Sequence, residues 1–172
     1  MKKLFTTFAA LVFFAGMSFA QYNHPMAIDV AGELNFPMSS LSNGATTGWA
    51  TTARYEINMG AGFTGMITSG YGAFSQSNNL TYSYVPLLLG AKLYFVSGWY
   101  GMVETGYHFY TVDYNASGVS TSNSKSEWGF SVGTGYEIPL SESLGLDLST
   151  KYQYNTDDLS YWNTRAGLMF YF

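Results

Sequence analysis

The sequence contains no cysteine and little charge. Asp, Glu, Lys and Arg make up 10% of the 172 residues, whereas ordinary soluble domains carry about 25%. Without cysteine the chain has no disulfide bridge and no thiolate metal site. Its formal net charge of −4 argues against a nucleic-acid partner. These absences exclude disulfide-stabilised domains and make a role in nucleic-acid binding unexpected.

Long apolar runs are also missing after the first twenty residues. A membrane helix needs about 20 consecutive apolar residues, and no later stretch provides them. Even so, 47% of the residues are hydrophobic and 19% are aromatic, with 15 Tyr and 13 Phe. A chain that is apolar, aromatic and poor in charge, but lacks such helices, has the composition of a β-barrel whose outer face contacts lipid.

The first twenty residues have the features of a targeting segment. Lys2 and Lys3 form a basic start, residues 4–17 form a short apolar core, and Ser18 and Ala20 supply small residues before a cleavage point. We expect a signal peptide over residues 1–20 and a mature barrel domain over residues 21–172. A membrane anchor is the alternative, although the apolar core is short for a span.

Alternation with a period of two is the main signal in the remaining sequence. In residues 161–172 every second residue, from Trp162 to Phe172, is apolar or nearly so, and the other set includes Arg165. This pattern is typical of a strand with one face in an apolar medium. It predicts an all-β fold, an eight-stranded antiparallel up-and-down transmembrane β-barrel. The predicted strands are residues 26–36, 49–58, about 61–74, 81–95, 99–112, 127–138, 144–154 and 161–172.

The connections between the predicted strands alternate in length. Long loops are expected at residues 37–48 and 113–125, and short turns follow the second, fourth and sixth strands. Outer-membrane barrels have short periplasmic turns and longer external loops. We therefore expect a bacterial outer-membrane location with both chain termini periplasmic, and an unknown surface partner at the two long loops. The register of the third strand stays open, because Met66 and Phe74 interrupt its alternation.

The charges follow the alternation. Sixteen charged residues lie after residue 20, and the eleven within predicted strands all have inward parity. Arg or Lys on the lipid face at mid-membrane costs roughly 2–4 kcal/mol, so this segregation is expected of a membrane barrel. With one inward histidine they define a predicted interior polar network: Asp29, Glu33, Arg54, Glu56, Lys92, Glu104, His108, Glu127, Glu137, Asp147, Lys151 and Arg165.

The predicted barrel is expected to be filled rather than open. Eight strands enclose a space just wide enough for side chains, and inward glycines such as Gly133 and Gly135 leave room for tyrosines and arginines. Buried opposite charges should pair, because isolated buried ions are costly. The four tryptophans have outward parity near strand ends, where interfacial aromatic anchors are expected: Trp49, Trp99, Trp128 and Trp162.

Three stretches carry a resemblance to a known family. The segment YVPLLLGAKLYF (84–95), the segment WGFSVGTGYEI (128–138) and the aromatic C-terminus resemble small outer-membrane β-barrel proteins of the OmpA/OmpX type, the outer membrane protein beta-barrel domain family. The resemblance implies outer-membrane lipid as surroundings. It also implies that Phe170 and Phe172 belong to the signal read by the barrel assembly machinery. Members include structural, adhesive and protective proteins, so the resemblance does not select one activity.

Three functions remain open from the sequence. The first is a non-enzymatic barrel with a polar filled interior and a structural or surface-interaction role through its outer loops. The second is a small porin-like channel. The third is an outer-membrane enzyme acting on lipid, or a lipid binder, for which His108 is the candidate base. No catalytic, cofactor-binding or metal-binding set is expected, because the spacing of His, Asp and Glu matches no metal motif.

Overall fold

The computed structural model describes residues 24–39, 41, 45–76, 80–116, 119–156 and 159–172. These residues form eight strands and no α-helix. Nowhere in the described ranges is there a helix long and apolar enough to cross a membrane. The strands are β1 (Met26–Ser39), β2 (Ala45–Gly60), β3 (Phe63–Gln76), β4 (Leu80–Val96), β5 (Trp99–Ala116), β6 (Val119–Pro139), β7 (Leu144–Asn155) and β8 (Leu159–Tyr171).

The strands form a closed antiparallel barrel. Each pairs with its neighbours in the sequence, and β1 also pairs with β8, from Ala27 opposite Tyr171 to Ser39 opposite Leu159. Closure leaves the sheet without a lateral edge through most of its height, which is the condition for a sheet to cross a bilayer. The predicted fold class is confirmed.

The residues that alternate along the sequence also alternate between the inside and the outside of the barrel. In β8, Met169 is 1% exposed and Phe170 is 44% exposed. The same rule resolves β3, where Met66 and Phe74 are buried inside while Phe63, Ile67 and Tyr71 face outward. The third strand therefore alternates regularly between inside and outside, with aromatic side chains on both faces.

Two expectations about loops were wrong. Residues 37–39 and 45–48, assigned to a loop, extend β1 and β2. Most of the second predicted loop, residues 113–125, is also strand, because β5 continues to Ala116 and β6 begins at Val119. The turn placed near residues 59–60 lies at Ala61 and Gly62, both with positive φ (52° and 75°). These Ser- and Asn-rich segments were assigned to loops because a strand outside the membrane lacks the apolar face by which a lipid-contacting strand is recognised in the sequence.

The barrel wall has unequal height. Residues 107–116 of β5 pair with residues 119–128 of β6, and β4 follows β5 up to Leu80 opposite Tyr114. By contrast, β6 pairs with β7 only from Gly129 onward. At ~3.3 Å per residue, the extra ten residues add about 30 Å along the strand. The two-stranded extension formed by residues 107–116 and 119–128, here called the outer hairpin, therefore extends past the end of β7.

Candidate functional site

The barrel interior is filled in three layers. A layer of ion pairs occupies the middle, an aromatic layer lies toward the outer hairpin, and a layer of Met and Tyr lies toward the chain termini. All eleven charged strand residues of the predicted interior network are buried, and so is His108.

Arg165 connects the strands at the barrel seam. Its guanidinium contacts the carboxylate of Asp29 and lies 3.4 Å from Glu33 and 3.1 Å from Asp147. The Asn163 amide also donates to Glu33, at 2.7 Å. One cation thus neutralises carboxylates from β1 and β7, on both sides of its own strand.

Lys92 performs the same role near the terminal end of the barrel. Its Nζ lies 2.6 Å from Glu56, 2.7 Å from Glu137 and 3.4 Å from Asp147. Tyrosine hydroxyls complete the arrangement, because Tyr94 donates to Glu137 and Tyr100 donates to Asp147 at 2.6 Å. The ammonium also lies 4.4 Å from the centre of the Tyr100 ring, within cation–π distance.

Arg54 and Lys151 complete the ionic layer. Arg54 lies 3.7 Å from Glu56 and 3.9 Å from both Asp29 and Glu104. Lys151 Nζ lies 2.6 Å from Glu104, which also accepts a hydrogen bond from Thr68 at 2.7 Å. Through shared carboxylates, the four buried bases form one continuous network with six of the seven buried acids of the described strands.

Glu127 is the acid outside this network. It lies at the base of the outer hairpin, where Lys125 Nζ is 2.9 Å away and the Thr156 hydroxyl donates to it. Sequence reasoning missed this pair, because Lys125 was placed in a loop and given no parity. Because Lys125 lies on β6, two residues before Glu127, the two side chains are on the same face of one strand.

The aromatic layer closes the interior toward the outer hairpin. Tyr84 is its centre, with ring centroids 5.6 Å from Phe74, 5.7 Å from Tyr110 and 6.1 Å from Tyr161. His108 joins this cluster through its Nε2, 3.3 Å from the Tyr161 hydroxyl, and is 1% exposed. Three aromatic rings, those of Tyr84, Tyr110 and Tyr161, therefore pack around a histidine that is buried in the interior.

The opposite layer closes the interior near the chain termini. Met66, Tyr94, Tyr100 and Met102 pack together there, and Ala27, Met169 and Tyr171 form a second cluster. The His24 ring stacks on Tyr171 at 4.7 Å. The cavity between these groups has a volume of about 20 Å³, enough for a single water molecule.

Inward glycines make this filling geometrically possible. A Cβ added at Gly135 would meet the Tyr100 hydroxyl and lie 2.7 Å from the Ser149 Cβ. A Cβ at Gly72 would meet the Tyr84 ring. At these two positions a tyrosine from another strand occupies the space of the missing side chain, and at Gly133 the side chains of Lys151 and Met102 do so, so these glycines do not widen a channel.

The outward residues singled out from the sequence lie on the lipid side. All four tryptophans are exposed, as are Phe170 and Phe172. Trp99 follows the turn between β4 and β5, at the terminal end, whereas Trp49, Trp128 and Trp162 lie toward the other end of their strands. Among the described residues no group of three or more His, Asp or Glu is close enough to hold a metal ion.

An apolar outer face, a charged interior and full closure define an integral membrane β-barrel. The family model of the outer membrane protein beta-barrel domain matches residues 6–172. The chain belongs to this family, and its location is the bacterial outer membrane. No match was found among curated proteins.

Solved structures similar to this chain are small outer-membrane barrels. Ail from Yersinia pestis has 14% identity, covers 86% of this chain and 97% of its own, and superimposes with a TM-score of 0.65. Neisserial surface protein A has 12% identity over 86% of this chain and 97% of its own, with a TM-score of 0.60. The N-terminal barrel of Pseudomonas aeruginosa OprF has 14% identity over 86% and 96%, with a TM-score of 0.55. At this identity the comparisons establish the fold.

Proposed function

We propose that this chain is a non-enzymatic, non-conducting outer-membrane barrel that presents the outer hairpin as an interaction surface. In this proposal residues 1–20 are removed as a signal peptide, both termini face the periplasm, and the hairpin points away from the cell. Phe170 and Phe172 serve as the signal for the barrel assembly machinery.

The observation that supports an interaction role is that β6 has an open edge. Residues 119–128 pair with β5 on one side, and no described strand pairs with them on the other. Along such an edge, main-chain N–H and C=O groups point away from the partner strand, and an extended peptide can add to it as a further strand. The side chains of residues 122–126 are exposed on both faces, so an added strand would meet no steric obstacle from them.

The composition of this edge suits reversible binding. Residues 119–127 read VSTSNSKSE, which is polar and contains Lys125 and Glu127. Charged and polar side chains keep a free edge from aggregating. A partner would therefore gain affinity mainly from main-chain hydrogen bonds and selectivity from small side chains.

The filled interior argues against the porin-like alternative. Ion pairs occupy the middle of the described barrel, and packed rings occupy both ends. The burial of His108 argues in the same way against a lipid-acting enzyme, because a general base must come within hydrogen-bond reach of its substrate.

The relatives support a surface role in general terms. Ail is the attachment invasion locus protein of Yersinia pestis and has been solved with the heparin analogue sucrose octasulfate. We do not extend polyanion binding to this chain. Lys125 is the one base with an exposed side chain in the described strands, and Glu127 already pairs with it.

A peptide-binding measurement tests the interaction role. The barrel in lipid nanodiscs is titrated into a fluorescein-labelled peptide of alternating Thr and Val, and anisotropy is recorded. A variant in which Asn-Gly joins Tyr110 directly to Lys125 removes the upper hairpin and should abolish the rise. Ser122→Thr with Ser126→Thr keeps the strand and should preserve it. Equal binding by the shortened variant would overturn the proposal.

Adjacent proline substitutions sharpen this test. In an antiparallel strand, alternate residues direct their N–H groups to opposite sides, so one of Asn123→Pro and Ser124→Pro removes a donor from the free edge and the other removes one from the β5 ladder. We expect one of the two variants to lose peptide binding while the hairpin stays protected from proteolysis.

Solute efflux tests the closed interior separately. Folded barrel in liposomes should release no more small solute than empty liposomes and should show no steady single-channel conductance. Conductance from demonstrably folded protein would favour the channel.

A further inference from the structure

The lipid-facing wall contains a recess between β8, β1 and β2. Its volume is about 470 Å³. Gly32, Thr164 and Ala166 form its floor with the backbone next to them, and Leu34 and Trp49 form its raised border. Leu34 and Trp49 are opposite each other in the β1–β2 register and are 53% and 50% exposed. The recess therefore lies on the outward, membrane-facing side of the wall.

Gly32 differs from the other outward glycines of the described strands. A Cβ added at Gly65 would lie 2.5 Å from the Met59 methyl group, and one at Gly101 would lie 3.2 Å from the Phe95 ring. The corresponding position at Gly32 has no atom within 4 Å. Side chains of the protein therefore cover Gly65 and Gly101, and none covers Gly32.

Trp49 is held in place beside this opening. Its ring packs against Tyr71 of β3, with the ring centroids 6.0 Å apart and the planes tilted by 58°. This contact supports the indole from the side away from Gly32. The border of the recess is thus a packed aromatic pair, which favours a recess of fixed shape.

We propose that this recess binds one acyl chain of a membrane lipid. An apolar void loses dispersion contacts along its whole lining, and in a bilayer the neighbours available to fill it are hydrocarbon chains. The site is continuous with the lipid-contacting wall that the fold establishes. It spans three strands spaced by about 4.8 Å, a width that suits a hydrocarbon chain better than the convex wall of a second barrel.

The residues that border the recess favour binding of a lipid acyl chain over binding of a lipid headgroup. No Lys or Arg side chain points outward from the recess, because Arg165 directs its guanidinium into the barrel toward Asp29. Phosphate recognition would need such a cation. We therefore assign the site to a lipid acyl chain, with Trp49 packing along the bound chain.

Bromine quenching of Trp49 fluorescence tests this assignment. A variant with Trp49 as its single tryptophan (Trp99→Phe, Trp128→Phe, Trp162→Phe) is folded into phosphatidylcholine vesicles with increasing fractions of chain-brominated phosphatidylcholine. A bound chain gives quenching at low bromolipid fractions in excess of random contact. Gly32→Leu fills the recess and should remove this excess, while Ala91→Leu places a leucine of the same size on the outer wall of β4 and should preserve it.

Two further observations keep the test decisive. Ala166→Leu fills the recess from β8 and replaces Gly32→Leu if that variant does not fold. Identical quenching curves for the parent and both filled variants would overturn the proposal. A mass determination in detergent serves as the second readout. If the parent were a dimer that Gly32→Leu dissociates, the recess would be a contact between copies, which also overturns it.

Discussion

Lys92 on β4 and Glu56 on β2 form an ion pair of 2.6 Å that spans the interior past β3. The same ammonium lies 2.7 Å from Glu137 of β6. A single buried cation therefore joins strands from different sides of the barrel, and its loss would leave several carboxylates without compensation.

The first prediction concerns Lys92→Met. Removing one partner of a buried ion pair typically costs about 3–5 kcal/mol, because the remaining charges stay buried. We expect this loss in the free energy of unfolding, measured by urea titration in lipid vesicles. Lys125→Met is the control, since its half-exposed pair with Glu127 should contribute less than about 1 kcal/mol. Equal losses in the two variants would contradict the ionic-layer account.

The second prediction compares two glycines. Gly135→Ala places a Cβ against the Tyr100 hydroxyl, whereas Gly32→Ala meets nothing within 4 Å. Overpacking costs about 1–3 kcal/mol, so Gly135→Ala should destabilise the barrel by that amount. Gly32→Ala should leave stability unchanged or raise it slightly, by less than about 1 kcal/mol. Thermal unfolding followed by gel mobility would distinguish them, and similar midpoints for both would refute the filled interior.

The third prediction concerns the tryptophans as interfacial anchors. Trp99 lies at the terminal end of the barrel and Trp49 toward the other end. A quencher restricted to one leaflet of oriented vesicles should therefore quench single-tryptophan variants of Trp99 and Trp49 in opposite leaflets. With the periplasmic orientation proposed above, Trp99 belongs to the inner leaflet. Quenching of both from one side would exclude this arrangement.

The fourth prediction concerns Phe172, whose side chain is exposed and packs little against the barrel. Phe172→Ala keeps the main-chain hydrogen bond that Phe172 N–H donates to Met26. It should slow assembly in cells while leaving refolding into vesicles unchanged, because a recognition signal acts only when its receptor is present. Val103→Ala, another change on the exposed outer wall, is the control that should affect neither. Parallel losses in cells and vesicles would indicate a packing role instead.

The wall of the barrel could be predicted from the sequence because the bilayer imposes its own pattern. At each position a side chain faces either lipid or interior, so Arg165 and Phe170 differ in burial as their parity predicts. Even β3 follows this rule once pairing fixes which of its aromatic residues point inward.

The outer hairpin could not be predicted in the same way. Residues 119–126 are strand without an apolar face, and only pairing with β5 makes them strand. The partners within the ionic layer were equally hidden. The alternation of inward and outward residues predicted that Lys92 and Asp147 lie inside the barrel. It does not predict which carboxylate pairs with which base, because that depends on side-chain length and on the curvature of the wall. The recess at Gly32 depends on the absence of a neighbouring side chain, and sequence alone carries no signal for that.

The pairing of β1 with β8 has a consequence for how the molecule is completed. Asn163 and Glu33 are 130 positions apart in sequence, yet their side chains are joined by a hydrogen bond. Seven successive hairpins bring these distant segments together, so the final closure adds little further loss of chain entropy. Before that step the chain is an open sheet with two edges, and Asp29 and Glu33 lack Arg165. Arrival of the last strand removes both edges and supplies that cation at once, so a chain truncated before β8 has no closed wall, and Glu33 lacks the ion pair with Arg165 that it has in the barrel.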